Sequence, residues 1–171
     1  MRVLIIGASG TGKTYMAQRL RKSGVRAVDA DDLWKMHVWY DFKGRRVKDH
    51  EKSFAKDREK FLNTHSLRWD RAFLAGYLKD KPNLLLFGLS ENAFRMRGLF
   101  DKTYFLKASA AVIKKRLRHK SRKNAFGKTA KQRKLAVHYA RRLERTAEKL
   151  KIPFIDAALP PKKILRILGL G

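Results

Sequence analysis

The chain contains no cysteine, which excludes a disulfide scaffold and any zinc site built on thiolates. Acidic residues are scarce. Fifteen Asp and Glu face 42 Lys and Arg, for a formal net charge of +27. Long apolar runs are missing too: the longest, "VLII" and "LLLF", fall far short of a bilayer span. The apolar core of "MRVLIIGASG" is too short for a signal peptide and reads as a buried strand. None of the five histidines has ligand spacing such as H-x-x-x-H, so no transition-metal site is expected. No linker, internal repeat or low-complexity segment breaks the chain, and nothing in it points to a protein partner. These absences together fit a cytoplasmic protein that does not enter a membrane.

What remains is enough for one domain. The 171 residues are 44% apolar, sufficient for a sizeable core and too apolar for a disordered chain. Short apolar runs alternate with amphipathic stretches, the pattern of an α/β fold around a parallel sheet. Strands are predicted at 2–7, 25–30, 83–89, 102–109 and 153–157, with "NLLLFGL" apolar on both faces as a central parallel strand should be. Helices are predicted over 13–22, 51–80 and 110–120. A longer one would carry Leu135, Tyr139, Leu143, Ala147 and Leu150 on one face. "PPKKILRILG" closes the chain as a short helix, with proline at its start and glycine at its end.

The most specific motif is "GASGTGKT", a full match to G-x-x-x-x-G-K-[ST]. It comprises Gly7, Ala8, Ser9, Gly10, Thr11, Gly12, Lys13 and Thr14, with Tyr15 next in line. Glycines let successive backbone N–H groups turn inward toward phosphate oxygens, and the following helix adds its positive end. In such a loop Lys13 reaches the β- and γ-phosphates of ATP, and the Thr14 hydroxyl ligates Mg²⁺. An apolar strand before the loop and an amphipathic helix after it supply the required context.

The second strand ends in "VDADDL", placing Asp29, Asp31 and Asp32 at the edge where open parallel sheets bind ligands. Strand alternation would put Asp29 and Asp31 on one face. Asp29 could then hold Mg²⁺ through water while Asp31 orients or deprotonates the attacking group. The alternative for Asp31 or Asp32 is a helix cap before Leu33.

With the loop, the "DADD" strand end, an internal "GLSEN" strand end and a basic segment before "IDA", the sequence resembles the small P-loop kinases. These are the adenylate kinase and shikimate kinase relatives of the nucleoside monophosphate kinase superfamily. The resemblance implies a three-layer sandwich around a central parallel sheet, with a helical acceptor-binding insert and a lid. The core would be 1–33, 82–118 and 132–171, the insert about 34–81, the lid about 119–131. Asp29 and Asp31 match the paired aspartates of shikimate-kinase-like members, the first serving magnesium and the second the acceptor. "LFGLSEN" lacks both the Gly-Phe-Pro-Arg signature of adenylate kinases and the glycine triplet of shikimate kinases, so the substrate does not carry over. Asp31, Asp32, Trp39 and Asn92 are the expected acceptor-binding residues. Trp39 and Tyr40, set in polar surroundings, are the best stacking candidates, which makes a nucleoside or nucleotide the first acceptor to consider.

From Lys102 to Leu143 the chain has no acidic residue. The "GKT" at 127–129 is not a second phosphate loop, because Arg122 stands where its first glycine belongs and no strand precedes it. By family position it is the lid, with Gly127 as a hinge. Arg116 and Arg122 are the expected contacts to the transferring phosphate, and Arg118 could stack on adenine near Ala157–Leu159. The expected activity is transfer of the ATP γ-phosphoryl group to a small acceptor. The +27 charge keeps open a nucleic-acid contact, as in an RNA-associated ATPase or a polynucleotide 5′-hydroxyl kinase, beside a host whose proteins are basic in general.

Overall fold

The computed structural model describes residues 1–48, 51–119 and 126–170. Its centre is a five-stranded parallel sheet in the order β2-β5-β1-β6-β7. The strands are β1 (Arg2–Ile6), β2 (Ala27–Asp29), β5 (Leu84–Gly88), β6 (Lys102–Lys107) and β7 (Phe154–Asp156). β1 lies in the middle, paired with β5 from Arg2↔Leu84 to Ile6↔Gly88 and with β6 from Val3↔Lys102 to Ile6↔Phe105. Val3 through Ile6 and Leu84 through Phe87 are buried, as strands covered on both faces must be.

The helices follow from the strand order. β2 and β5 lie on one side of β1 and β6 and β7 on the other, so right-handed crossovers place helices on both faces. Helix α1 (Lys13–Lys22) packs against β2 and β5. Helices α5 (Ala110–Arg118) and α6 (Ala130–Lys149) form a hairpin between β6 and β7, and α7 (Pro161–Leu168) returns beside α1. α6 begins with a reciprocal cap between Thr129 and Gln132. Its buried face runs through Ala136, Ala140, Leu143 and Ala147, while Leu135 is exposed. The predicted face is therefore turned by about one residue at its start, because three alanines rather than bulkier side chains meet the core.

The insert departs from the helical expectation for 51–80. Two strands, β3 (His37–Asp41) and β4 (His65–Trp69), pair antiparallel from His37↔Trp69 to Asp41↔His65. Around them lie α2 (Glu51–Lys56), α3 (Arg58–Thr64) and α4 (Arg71–Lys79). Asp57 and Asp70 break the predicted single helix: each caps a new one, accepting from Lys60 N at 2.9 Å and Phe73 N at 3.0 Å. Trp39 packs edge-on against Phe61 at 5.0 Å between ring centroids and also meets Phe54. This gives the insert its own small aromatic core. Trp39, expected as a stacking platform, is partly buried and packs its ring within the insert.

Trp69 joins insert to sheet. It is buried, and a Cβ on Gly88 would fall 2.6 Å from its ring, so only glycine lets the ring close over the end of β5. Asn92 completes the clamp. Its Oδ1 accepts from Trp69 N at 2.8 Å and from the Ser90 hydroxyl at 2.8 Å, and its Nδ2 donates to Trp69 O at 2.9 Å. Asn92 was expected to bind the acceptor; its amide is spent on β4 instead. Asn92→Ala strands two backbone groups, and should lower the unfolding free energy by about 1–3 kcal/mol in urea titrations while leaving ATP affinity within about threefold.

Candidate active site

The loop Gly7–Gly12 leaves the carboxyl end of β1 and turns into α1. Gly12 sits at φ 99° with its Cα facing Arg116, and a Cβ there would lie 2.9 Å from the guanidinium. The turn is held from within: the buried Thr11 hydroxyl donates to Ala8 O at 2.8 Å. Among the described residues, the N–H groups of Gly10, Gly12 and Thr14 donate to no protein acceptor. They remain available as a cradle for phosphate oxygens. Lys13 lies over the same loop, donating from Nζ to Gly7 O at 2.8 Å and Ala8 O at 3.1 Å. Thr14 and Tyr15 are exposed, and Ser9 is partly so.

Helix α5 supports the loop from the β6 side. Ile113 and Leu117 close against Gly10. Arg116 spans two elements, donating through Nη1 to Thr11 O and through Nη2 to Ala157 O at 3.1 Å. It thus ties the phosphate loop to the turn after β7. The arginine expected to touch the transferring phosphate is brought to the nucleotide site, with its guanidinium committed to backbone carbonyls. Arg118 is exposed at the end of α5. Arg122 lies outside the described residues.

The carboxylates separate into three roles. Asp29 ends β2, is buried, and accepts from Asp31 N at 3.1 Å. Residues 30–32 form a 3-10 turn, so the chain leaves the strand one residue earlier than alternation requires. The cap is therefore Asp29, not Asp31 or Asp32. Asp31 is exposed on the turn, and partial desolvation of its carboxyl raises its pKa above the ordinary 3.8. The neighbouring Asp29 adds to the rise, while Lys13 and His37 oppose it. Asp32 is exposed and pairs with Arg21 at 3.5 Å.

Two neighbours escaped the sequence reading. His37 Nε2 donates to Ala30 O at 3.0 Å, fixing the ring beside the carboxylate turn. Arg68 stands over the Tyr40 ring at 5.1 Å and pairs with Glu91 at 3.6 Å, closing the insert over the "GLSEN" strand end. Only the β3–β4 pairing brings these residues together, and no motif announces it. Trp34, in the turn after Asp32, is 72% exposed.

Thr14 and Asp29 offer only oxygen ligands, the hard donor set that suits magnesium bound largely by water and nucleotide phosphate. Among the described residues there is no cluster of three acidic, His or Cys side chains that would hold a metal alone. The second "GKT" has no cradle. Gly127 packs on Leu117, its N–H donates to Gln132 Oε1 at 3.0 Å, and its carbonyl accepts from Arg133 at 3.1 Å. The expected hinge glycine is a pinned corner at the entrance to α6.

Residues 3–152 match the family described as AAA domain. No curated protein sequence matches the chain. Among solved structures, a shikimate kinase from Bacteroides thetaiotaomicron superposes with TM-score 0.60 at 17% identity, over 99% of both chains. A gluconokinase from Sinorhizobium meliloti 1021 gives 0.51 at 16% identity, covering 99% of this chain and 90% of its own. A deoxyadenosine kinase from M. mycoides with bound dATP gives 0.52 at 13% identity, covering 99% and 97%. The shared fold is that of the P-loop kinases.

The loop geometry sets a direct test. Gly12→Ala forces a side chain into a left-handed conformation and against Arg116. ATP affinity should drop by about 100-fold, equivalent to about 2.7 kcal/mol, in fluorescence titration, with the far-ultraviolet spectrum unchanged.

Proposed function

The chain belongs to the AAA domain family, and from that premise we propose that it is an ATP-dependent phosphotransferase acting on a hydroxyl of a small acceptor. The observation that carries this reading is the phosphate loop itself, with its open N–H groups at Gly10, Gly12 and Thr14, and with Lys13 within electrostatic reach of the Asp31 carboxylate. A hydroxyl must lose its proton as it attacks phosphorus, whereas a phosphate acceptor arrives already ionised. A carboxylate of raised basicity is therefore matched to a hydroxyl.

In the proposed mechanism the N–H groups of Gly10, Gly12 and Thr14 hold the phosphate oxygens, and Lys13 moves from the loop carbonyls onto the β- and γ-phosphates. Thr14 and Asp29 would hold Mg²⁺, which supplies charge neutralisation on the phosphate chain when bound. Asp31 takes the proton from the acceptor hydroxyl as its oxygen bonds to the γ-phosphorus. The bond from that phosphorus to the bridging oxygen breaks, releasing ADP. Arg116 keeps the loop and the turn after β7 in register. Arg122 remains a candidate for stabilising the transferred group. A nucleoside is the first acceptor to test, because the exposed Trp34 ring follows the carboxylate turn. The similar fold of a deoxyadenosine kinase with bound dATP supports this order, and the similar folds of a shikimate kinase and a gluconokinase keep other acceptors in the screen.

The test is a labelled-ATP transfer screen over nucleosides, nucleotides, sugars, shikimate-like acids and RNA ends. With the acceptor found, Asp31→Asn should lower kcat by about 10²- to 10⁴-fold while ATP binding changes by less than about threefold. Full ATP-dependent transfer by Lys13→Ala would overturn the assignment.

The pH profile gives a second check. Asp31 acts as a base only when ionised, so activity should fall as pH drops through its raised pKa, at a higher pH than an ordinary carboxylate would set. In the magnesium-free protein, Asp29→Asn removes a negative neighbour and should lower the pH at which the Asp31 carboxyl titrates, read by NMR. An Asp31 titration unchanged in Asp29→Asn would overturn the coupling between the two carboxylates.

A further inference from the structure

At the far end of α1 from the phosphate loop, a groove of about 610 Å³ opens between that helix and the start of α7. Five cations line it: Arg19 and Lys22 from α1, and Lys162, Lys163 and Arg166 from α7. The rest of its wall is a serine and two prolines, so it contains no acid and no aromatic ring. Among the described residues, none of the five cations forms an ion pair. The ion pair of α1 uses Arg21 and Asp32, not Arg19 or Lys22. Helix α7 begins here, with Pro160 as a cap that supplies no side-chain hydrogen bond and with no acid in the first turn. Its positive end adds to the same field, while the carboxyl end of α1, of opposite sign, is answered there by Arg19 and Lys22.

We propose that this groove binds a run of consecutive phosphate groups, outside the nucleotide site. α1 has 10 residues, which separates the groove from the phosphate loop by about 15 Å of helix. That separation is too long for one triphosphate to bridge. Five like charges facing one cavity repel one another, and a polyanion relieves the repulsion while each phosphate meets a separate cation. Without an aromatic platform the groove has nothing to stack a base on, so recognition runs through the phosphate chain and is indifferent to sequence. Such a chain is offered by a single-stranded RNA and by free inorganic polyphosphate.

The two sources are separated by titrating a labelled 12-nucleotide RNA and inorganic tripolyphosphate into the full chain, with the phosphate loop filled by a non-hydrolysable ATP analogue. The groove variant is Arg19→Glu, Lys163→Glu, Arg166→Glu. A control of equal charge change is Lys134→Glu, Arg141→Glu, Arg145→Glu on the exposed side of α6. Loss of three phosphate contacts should weaken RNA binding at least tenfold near 100 mM salt and flatten the log K against log[salt] slope by about 2. The control should stay within about threefold. The same selective loss with RNA alone assigns the groove to a nucleic-acid strand, and with tripolyphosphate alone to free polyphosphate; either supports the site. Equal losses in groove and control variants, or none in the groove variant for either probe, would overturn it. Should the triple variant fail to fold, Lys163→Gln with Arg166→Gln gives the same comparison. Since the ATP analogue occupies the loop throughout, the outcome is independent of the phosphotransfer reading.

Discussion

Everything at the proposed active site depends on β1 being the central strand. Its in-register parallel pairing with β5, and β5's with β2, aligns the carboxyl ends of three strands at one edge. From that edge leave the phosphate loop after Ile6, the carboxylate turn after Asp29 and the polar turn after Gly88. Parallel pairing makes the alignment unavoidable: any strand hydrogen-bonded to β1 in the same sense delivers its exit loop to the same rim. The burial that stabilises β1 and β5 is thus also what brings Lys13 and Asp31 within electrostatic reach of each other.

That rim is held by contacts that leave the reactive groups poorly satisfied. Thr11, Arg116, Trp69 and Asn92 all bind backbone or pack, and they fix the loop, the turn after β7 and the insert. Against this frame Asp31 is desolvated and lies beside a second carboxylate, with Lys13 and His37 only partly offsetting the cost. A group whose pKa is raised on folding favours the folded state at low pH, and that contribution is lost as pH rises through its folded pKa. Asp31 therefore opposes stability near neutrality, although solvent at its exposed flank limits the size of the effect. The arrangement is the one expected where a fold retains strain for chemistry rather than relieving it.

The sheet and the phosphate loop were legible because each has a local signature. Apolar runs such as "LLLF" and the glycine-lysine spacing can be read without knowing what lies nearby. The insert was not. "HSLRW" is too short to reveal its period, and becomes a strand because "HVWYD" is available to pair with it. The aspartates told a mixed story: Asp57 and Asp70 sat visibly where caps belong and were read through, and Asp29 took the capping role considered for Asp31 and Asp32. Roles for polar residues failed most often for a common reason. Asn92 and Trp39 have the chemistry to bind a ligand, but their own chain reaches them first. Donor capacity is visible in sequence; prior commitment is not.

The same distinction bears on the basic charge. A net +27 spread evenly would say little beyond long-range attraction, since exposed lysines more than a Debye length apart act almost independently. What matters is where cations share a cavity without carboxylates to answer them. In the described residues the acids cluster elsewhere: Asp29, Asp31 and Asp32 at the rim, Asp41 and Asp70 with arginines on the insert. Glu144 pairs with Lys107 beside β6. None of these acids lines the junction of α1 and α7, which is left positive. Arg19, Lys22 and Arg166 each offset the negative end of their own helix, whereas Lys162 and Lys163 in the first turn of α7 have no such role. The convergence of all five on one groove without an acid in its wall is what singles out this junction from the rest of the basic surface.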